Sequence, residues 1–529
     1  MATAQARQWP TIPAMLESAE QFGDQLAVVD GDRRVTYREL VERARAFGAA
    51  LVASGVGPRD RVGIWCFNSL EWIVAVFGIW EAGATLVPVN TRFKGGEAAD
   101  ILRRSHARAL VTVTDFLGSD YVEMLRESGV ELPDLETIVV AHGAPVAGTV
   151  GWDDFLGRAD DAARDELTRR ATAVTPDDPS DIMFTSGTTG AAKGVVQTHS
   201  RTLCVSTDWL TMAGLSPADR YLMVNPYFHM FGLKAGILAC VGSGTTMFPW
   251  PVFDASGVME TVERERITVL PGAPTIYQSI LEAPGREGHD LSSLRLAVTG
   301  AADVPVELIR RVRAELPFET VISGYGLTEG GTATATQPDD DPETIATTVG
   351  RARPTFEMRI LDVDGNDVPA GEPGEVALRS ASVMLEYLDD PGATAEVLSA
   401  DGWLRTGDIG VLGEDGNLRI VGRSKDMFIV GGFNAYPAEI ENALLRHPDI
   451  EQVAVIGIPD ERMGEVGMAF VVARTGTSPT EDEIIAWSRA QMANYKVPRA
   501  VELVDALPYN ATGKVVKTEL RELAARRGR

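Results

Sequence analysis

The sequence predicts an α/β protein: a large N-terminal domain of stacked α/β sheets with a β-rich subdomain, followed by a small α+β C-terminal domain. Three observations predict it. Short β-rich runs alternate with amphipathic helical stretches through the first part of the chain. Between Asp362 and Gly422 turn pairs take over. After about Arg423 the texture shifts again, to a compact mixture of helix and strand.

Residues 267–271 and 294–300 are apolar runs bounded by polar residues, and they read as buried strands. Residues 306–316 read as a helix: Pro305 suits its first turn, and Ile309, Val312 and Leu316 fall on one face. This alternation argues for largely parallel sheets. Farther along, Asp364-Gly365, Asp401-Gly402 and Glu414-Asp415-Gly416 separate short strands, the pattern of antiparallel hairpins. The last part reads as a helix over 438–447, strands over 453–458 and 468–473, and a helix over 481–492. The joint falls near Gly422-Arg-Ser-Lys-Asp426, which divides the chain into domains 1–422 and 423–529.

Composition excludes several classes. Of 529 residues, 45% are hydrophobic and 23% charged, as in a soluble enzyme with a large core. A formal net charge of −26 repels phosphate backbones, so nucleic acid is not a partner. Cys66, Cys204 and Cys240 lie far apart without metal-ligand spacing, which implies neither a zinc site nor a disulfide framework. No apolar run follows Arg7, so the N-terminus does not read as a signal peptide. The apolar stretch 73–89 is interrupted by Glu81 and is too short to span a bilayer. The expectation is a cytoplasmic protein with no integral membrane segment; a homodimer is one compatible assembly.

Only seven lysines occur: Lys94, Lys193, Lys234, Lys425, Lys496, Lys514 and Lys517. Several stand in glycine-rich segments. The most informative is 181–194, Asp-Ile-Met-Phe-Thr-Ser-Gly-Thr-Thr-Gly-Ala-Ala-Lys-Gly. An apolar strand runs into a loop of hydroxyls and glycines. Gly187, Gly190 and Gly194 let backbone N–H groups turn toward an anion, and Thr185, Ser186, Thr188 and Thr189 add hydroxyl donors. Lys193 adds a point charge suited to phosphate. The segment is not a Walker loop, because Gly194 follows the lysine where Ser or Thr is required.

This segment resembles the phosphate-binding signature of the adenylate-forming superfamily: acyl- and aryl-CoA ligases, luciferases and peptide-synthetase adenylation domains. Ala192 stands where many members carry proline. Other family motifs follow in order, and the resemblance runs from about residue 25 to about 520. Ser323-Gly-Tyr-Gly-Leu-Thr-Glu329 is similar to the adenine and metal segment. The resemblance implies that Gly324, Tyr325 and Gly326 flank adenine, that Thr328 meets the α-phosphate, and that Glu329, with Thr188, serves Mg2+. Thr299-Gly-Ala-Ala302 resembles the segment whose small residues, Gly300, Ala301 and Ala302, pack on adenine and acid. Residues 403–408 and 421–426 resemble the ribose segments, with Asp408 and Arg423 as contacts. Gly374-Glu-Val-Ala-Leu-Arg-Ser380 matches a structural motif, with Ser380 in place of the usual glycine, and takes no catalytic role.

The resemblance implies two half-reactions, with ATP, Mg2+ and coenzyme A as the cofactors. Lys514, in Pro508-Tyr-Asn-Ala-Thr-Gly-Lys514, matches the lysine that bridges the acid carboxylate and the α-phosphate in the first. A mobile C-terminal domain then rotates about a pivot that maps to Lys425, and Gly431, Gly432 and Phe433 come to line the pantetheine channel. His229 matches the residue that closes over the acyl carboxylate. Met230, Phe231, Leu233 and Lys234, with Gly300 and Gly326, are the expected acid pocket. Lys234 sits in an otherwise apolar run, so it needs a partner or a route to water; a contact to an oxygen on the far end of the acid is the functional alternative.

Three longer segments, 231–240, 267–279 and 290–300, resemble actinobacterial ligases that activate the bicyclic propanoate left by steroid ring degradation. The expected partners are therefore a small carboxylic acid, ATP and CoA. Two other readings compete. One is an adenylating enzyme whose acceptor is a carrier protein or an amine. The other is a nucleotide sensor without chemistry, against which Lys514, Glu329, Asp408 and Arg423 argue together.

Overall fold

A computed structural model describes residues 9–185, 192–300, 306–431, 433–460, 462–509 and 515–527. The chain divides into two compact units, one built from Met1–Gly187, Ala191–Glu357 and Leu378–Leu404, the other chiefly from Met358–Ala377 and Arg405–Arg529.

The first unit is layered α/β, as the alternation of strand and helix predicts. Its eight-stranded sheet runs in the order Glu386–Tyr387, Lys193–Thr198, Pro179–Thr185, Thr85–Pro88, Arg61–Trp65, Ala107–Val113, Thr137–His142 and Val150–Gly151. All its pairings are parallel except those made by the first two strands. The nine-stranded sheet is parallel from Thr320–Leu327 through Leu296–Gly300, Val269–Pro271, Arg220–Met223 and Thr246–Pro249 to Leu26–Asp30. Antiparallel strands close both edges. Strands read from sequence at 267–271 and 294–300 appear here as neighbours, and the helix expected from residue 306 is Val306–Glu315.

The apolar stretch that begins near Ile73 becomes a helix, Leu70–Glu81, with every residue buried, followed by the buried strand Thr85–Pro88. A helix apolar all round belongs in a core. Its close fit to the helix Tyr37–Ala53 depends on two glycines. A Cβ on Gly48 would lie 2.8 Å from the Gly78 carbonyl oxygen, and one on Gly78 would lie 2.7 Å from that of Ala44. Among the described residues no helix is long and apolar enough to cross a membrane.

Glu81 ends this helix 4% exposed. Burial pushes its carboxyl up to about 7, and Arg45, 3.7 Å away, offsets this only in part. The folded chain therefore holds this proton at a pH where the unfolded chain has released it, so stability falls as pH rises from the ordinary carboxylate value through about 7. Glu81→Gln is expected to remove that decline and to stabilise the protein at pH 8 by about 2–3 kcal/mol. Denaturation midpoints of both proteins from pH 5 to pH 8 check this; parallel curves would refute it.

A four-stranded sheet, Phe356–Leu361, Pro373–Ser380, Leu404–Leu412 and Leu418–Arg423, falls mostly in the second unit. Its turns coincide with the Asp-Gly pairs read from sequence. The second unit continues with the helix Pro437–Leu444, the long hairpin Ile450–Asp460 and Gly464–Ala473, and the helix Glu481–Gln491, around its own apolar core.

Candidate functional site

In the first unit the phosphate segment is a hairpin. Pro179–Thr185 pairs antiparallel with Lys193–Thr198, Thr185 opposite Lys193. Ser186, Gly187, Thr188, Thr189 and Gly190 lie outside the described residues. Arg104 donates to the Ala192 carbonyl at 2.7 Å and lies over the Phe184 ring, 5.1 Å from its centroid. A Cβ on Gly194 would meet Ile182, Phe184 and Leu388 at 3.1 Å, so the strand packs tightly where the loop ends.

The strand Thr320–Leu327 carries Gly324, Tyr325 and Gly326. Gly300 pairs with Gly324 across parallel strands, and a Cβ on Gly300 would lie 2.5 Å from the Gly324 carbonyl oxygen. A Cβ on Gly326 would lie 2.4 Å from that of Gly331. Only glycine fits at either place, which leaves a flat backbone surface beside the half-buried Tyr325. Ala301 and Ala302 lie outside the described residues.

Thr328 and Glu329 sit in the turn that follows, held from several directions. The Met384 N–H donates to the Glu329 carbonyl at 2.6 Å, Ser382 Oγ donates to that of Gly330 at 2.7 Å, and Gln197 Nε2 to that of Thr328 at 3.5 Å. The Tyr387 hydroxyl donates to Glu329 Oε1 at 2.9 Å. The same ring carries the Lys193 ammonium over its face, 4.8 Å from the centroid. Burial, with Glu329 beside it, pushes the Tyr387 hydroxyl well above its ordinary value, so it stays a donor.

His229 is exposed and caps a short helical turn, Met230–Gly232; its Nδ1 accepts from the Phe231 N–H at 3.2 Å. Met230 and Phe231 are half-buried, and the Phe231 ring stands edge-on to Trp209 at 5.1 Å. The chain then enters a π-helical turn, Leu233–Leu238, where Leu233 and Lys234 are fully buried. Turns of this kind carry an extra residue and recur at functional sites. The sequence required a partner or a route to water for Lys234, and the structure supplies the partner. The ammonium lies 3.0 Å from Asp181 Oδ2, with 1% of the lysine side chain and none of the aspartate's exposed. Ser180 Oγ and Thr202 Oγ1 donate to Asp181 Oδ1 at 2.8 and 2.7 Å. Burial holds the ammonium below its ordinary pKa, against the pull of Asp181.

In the second unit Asp408 and Arg423 face each other across antiparallel strands. Arg423 Nε lies 3.1 Å from Asp408 Oδ1, and the Asp408 N–H donates to Thr406 Oγ1 at 3.1 Å. Lys425 is exposed in the turn between Leu418–Arg423 and Phe428–Val430. Gly431 adopts φ +58° and donates its N–H to the Met463 carbonyl at 2.8 Å; a Cβ there would lie 2.5 Å from Met463 Cε. The backbone of Phe433 begins a strand paired with Phe428–Val430. Gly432 and Lys514 lie outside the described residues. The flanks of Lys514 are anchored: Tyr509 bridges to Val515, and Lys517 pairs with Glu441 at 2.9 Å.

Motif reading missed Tyr387, Ser382, Gln197, Arg104 and Asp181. Only Asp181 left a signal: an acid at the base of an apolar strand, in a chain with a lysine inside another apolar run, marks a pair.

A family model described as AMP-binding enzyme matches residues 15–388, and one described as AMP-binding enzyme C-terminal domain matches 439–514. The chain belongs to the AMP-binding enzyme family. It is 50% identical over 515 residues to the 3-[(3aS,4S,7aS)-7a-methyl-1,5-dioxo-octahydro-1H-inden-4-yl]propanoyl:CoA ligase of Rhodococcus jostii (strain RHA1), covering 97% of this chain and 98% of that one. It is 49% identical to the protein of the same name from Mycobacterium tuberculosis, with coverages of 97% and 99%. It is also similar to the crystal structure of the anthranilate CoA ligase AuaEII in complex with anthranoyl-AMP, with TM-score 0.88, 31% identity and 98% of each chain covered. It is an AMP-forming acid–CoA ligase that uses ATP, Mg2+ and CoA. In the first half-reaction a carboxylate oxygen attacks the α-phosphorus of ATP and pyrophosphate leaves. In the second the CoA sulfur attacks the acyl carbon and AMP leaves.

Proposed function

We propose that this ligase activates a propanoate side chain carried on an oxygenated bicyclic ring. The observation that carries the reading is the full-length identity, at 50% and 49%, to two ligases named for one such acid. The test is a panel of acids scored for AMP release and for thioester. The bicyclic propanoate is expected to exceed octanoate and benzoate in kcat/KM by at least about 10-fold, the scale of discrimination an apolar pocket supplies. Preference for a simple acid, or AMP release without thioester, would overturn it.

Within this reading the roles are assigned as follows. The large domain, 1–422, binds ATP and acid, and 423–529 is the mobile domain. The hydroxyls and N–H groups of 185–190, with Lys193, hold the triphosphate. Thr328 meets the α-phosphate. Gly300 to Ala302 and Gly324 to Gly326 pack on adenine, and Asp408 and Arg423 take the ribose. His229, Met230, Phe231, Leu233 and Lys234 form the acid side, with Gly300 and Gly326. Lys514 neutralises charge where carboxylate and α-phosphate meet. Lys425 is the pivot, a turn residue that absorbs a backbone rotation. Gly431 to Phe433 admit pantetheine. The enzyme works in the cytoplasm, where ATP and CoA are at hand.

The donor set suits Mg2+. Among the described residues no group of three or more His, Cys, Asp or Glu forms a cage. Mg2+ bound through substrate phosphates needs only one or two protein oxygens. Glu329, with Thr188, would provide them, and the ion would neutralise phosphate charge.

A further inference from the structure

We infer that Tyr387 is a positioning residue that sets Glu329 for Mg2+ and Lys193 for phosphate. This rests on the roles proposed for those two residues. Tyr387 belongs to the two-residue strand Glu386–Tyr387, which pairs with Lys193–Thr198 so that Tyr387 lies opposite Val195. That short strand is fastened on both sides: the Leu385 N–H donates to the Val196 carbonyl at 2.9 Å and the Leu388 N–H to that of Gly194 at 2.7 Å. Tyr387 is itself only 7% exposed, so its ring has little freedom. From this fixed place one side chain reaches two charges, one in the turn after Thr320–Leu327 and one on the strand Lys193–Thr198. Its hydroxyl holds Glu329 Oε1 at 2.9 Å, and its face carries the Lys193 ammonium at 4.8 Å.

The chemistry favours a phenol here. A neutral donor orients a carboxylate without cancelling its charge, and it leaves the second oxygen for a cation. The aromatic face holds an ammonium without consuming its N–H donors on an anion. Without the ring, Glu329 and Lys193 are free to pair with each other, and each is then lost to the substrate.

The test uses full-length Tyr387→Phe, Tyr387→Leu, Glu329→Gln and the double variant Tyr387→Phe/Glu329→Gln. ATP affinity is measured by calorimetry with Mg2+ and in EDTA, and the Mg2+ dependence of acid-driven ATP–pyrophosphate exchange is measured alongside. Tyr387→Phe is expected to bind ATP normally in EDTA but to need about 10–100-fold more Mg2+, the scale of a hydrogen bond to a charged group. Tyr387→Leu is expected to lose a further 2–5-fold in ATP affinity in EDTA, through Lys193. The double variant is expected to need no more Mg2+ than Glu329→Gln, because the phenol acts through that carboxylate. Additive losses in the double variant, or equal losses by Tyr387→Phe with and without Mg2+, overturn the inference. A Glu329→Gln enzyme with an unchanged Mg2+ requirement instead overturns the role proposed for Glu329.

Discussion

Lys514→Ala is expected to slow acid-dependent ATP–pyrophosphate exchange by about 10²–10³-fold, the usual effect of removing one charge-stabilising group from a transition state. The first half-reaction brings a carboxylate against a triphosphate, so like charges converge as the new bond forms. Under the proposed roles the Lys514 ammonium sits at that point. The second half-reaction lacks this convergence, since a thiolate adds to a neutral carbonyl and AMP departs with its own charge. CoA should therefore consume supplied acyl-adenylate at close to the unmodified rate in the variant. Stopped-flow thioester formation from synthetic acyl-adenylate provides the second measurement. Equal losses in both half-reactions would remove Lys514 from the proposed role.

The second large effect is on stability. Lys234→Met removes the cation that, among the described residues, pairs with a carboxylate of no solvent exposure. The hydroxyls of Ser180 and Thr202 remain, but they carry no charge. Breaking a buried pair on one side costs about 3–5 kcal/mol. Replacing both partners is different, so Lys234→Met/Asp181→Asn is expected to recover most of the loss. Chemical denaturation of the two variants tests this, and a double variant no more stable than Lys234→Met would refute it. The pair also bears on specificity. With its ammonium committed to Asp181, Lys234 is expected to line the acid side without contacting a substrate oxygen, so the double variant should lose the same fraction of activity toward oxygenated and plain acids. A selective loss on oxygenated acids would restore the direct contact.

Continuous segments were legible in the sequence. The strand that leads into the glycine-rich loop, the strands at 267–271 and 294–300 and the antiparallel sheet around Asp364-Gly365 each announce themselves in a single run, because turn chemistry and strand periodicity are local. Lys234 was legible as a problem, since a lysine among apolar residues needs an answer. The answer, Asp181, depends on a helical turn packing against a distant strand. Tyr387 left no mark, because its two partners come from a distant turn and a distant strand, and its own strand has two residues. The π-helical turn at Leu233–Leu238 was hidden too, since one extra residue per turn leaves no periodic trace in so short a run.

Sheet order has a consequence for synthesis. The strand Leu26–Asp30 takes its parallel partner from Thr246–Pro249, with Val28 beside Met247. At about 5–20 residues per second, the wait between the two strands leaving the ribosome is roughly 10–40 s. Throughout that interval the nascent chain has only the hairpin to Arg33–Thr36 to cover one edge of Leu26–Asp30, and the other edge stays open to any extended segment nearby. That exposure falls at the start of the chain's life, long before any substrate arrives.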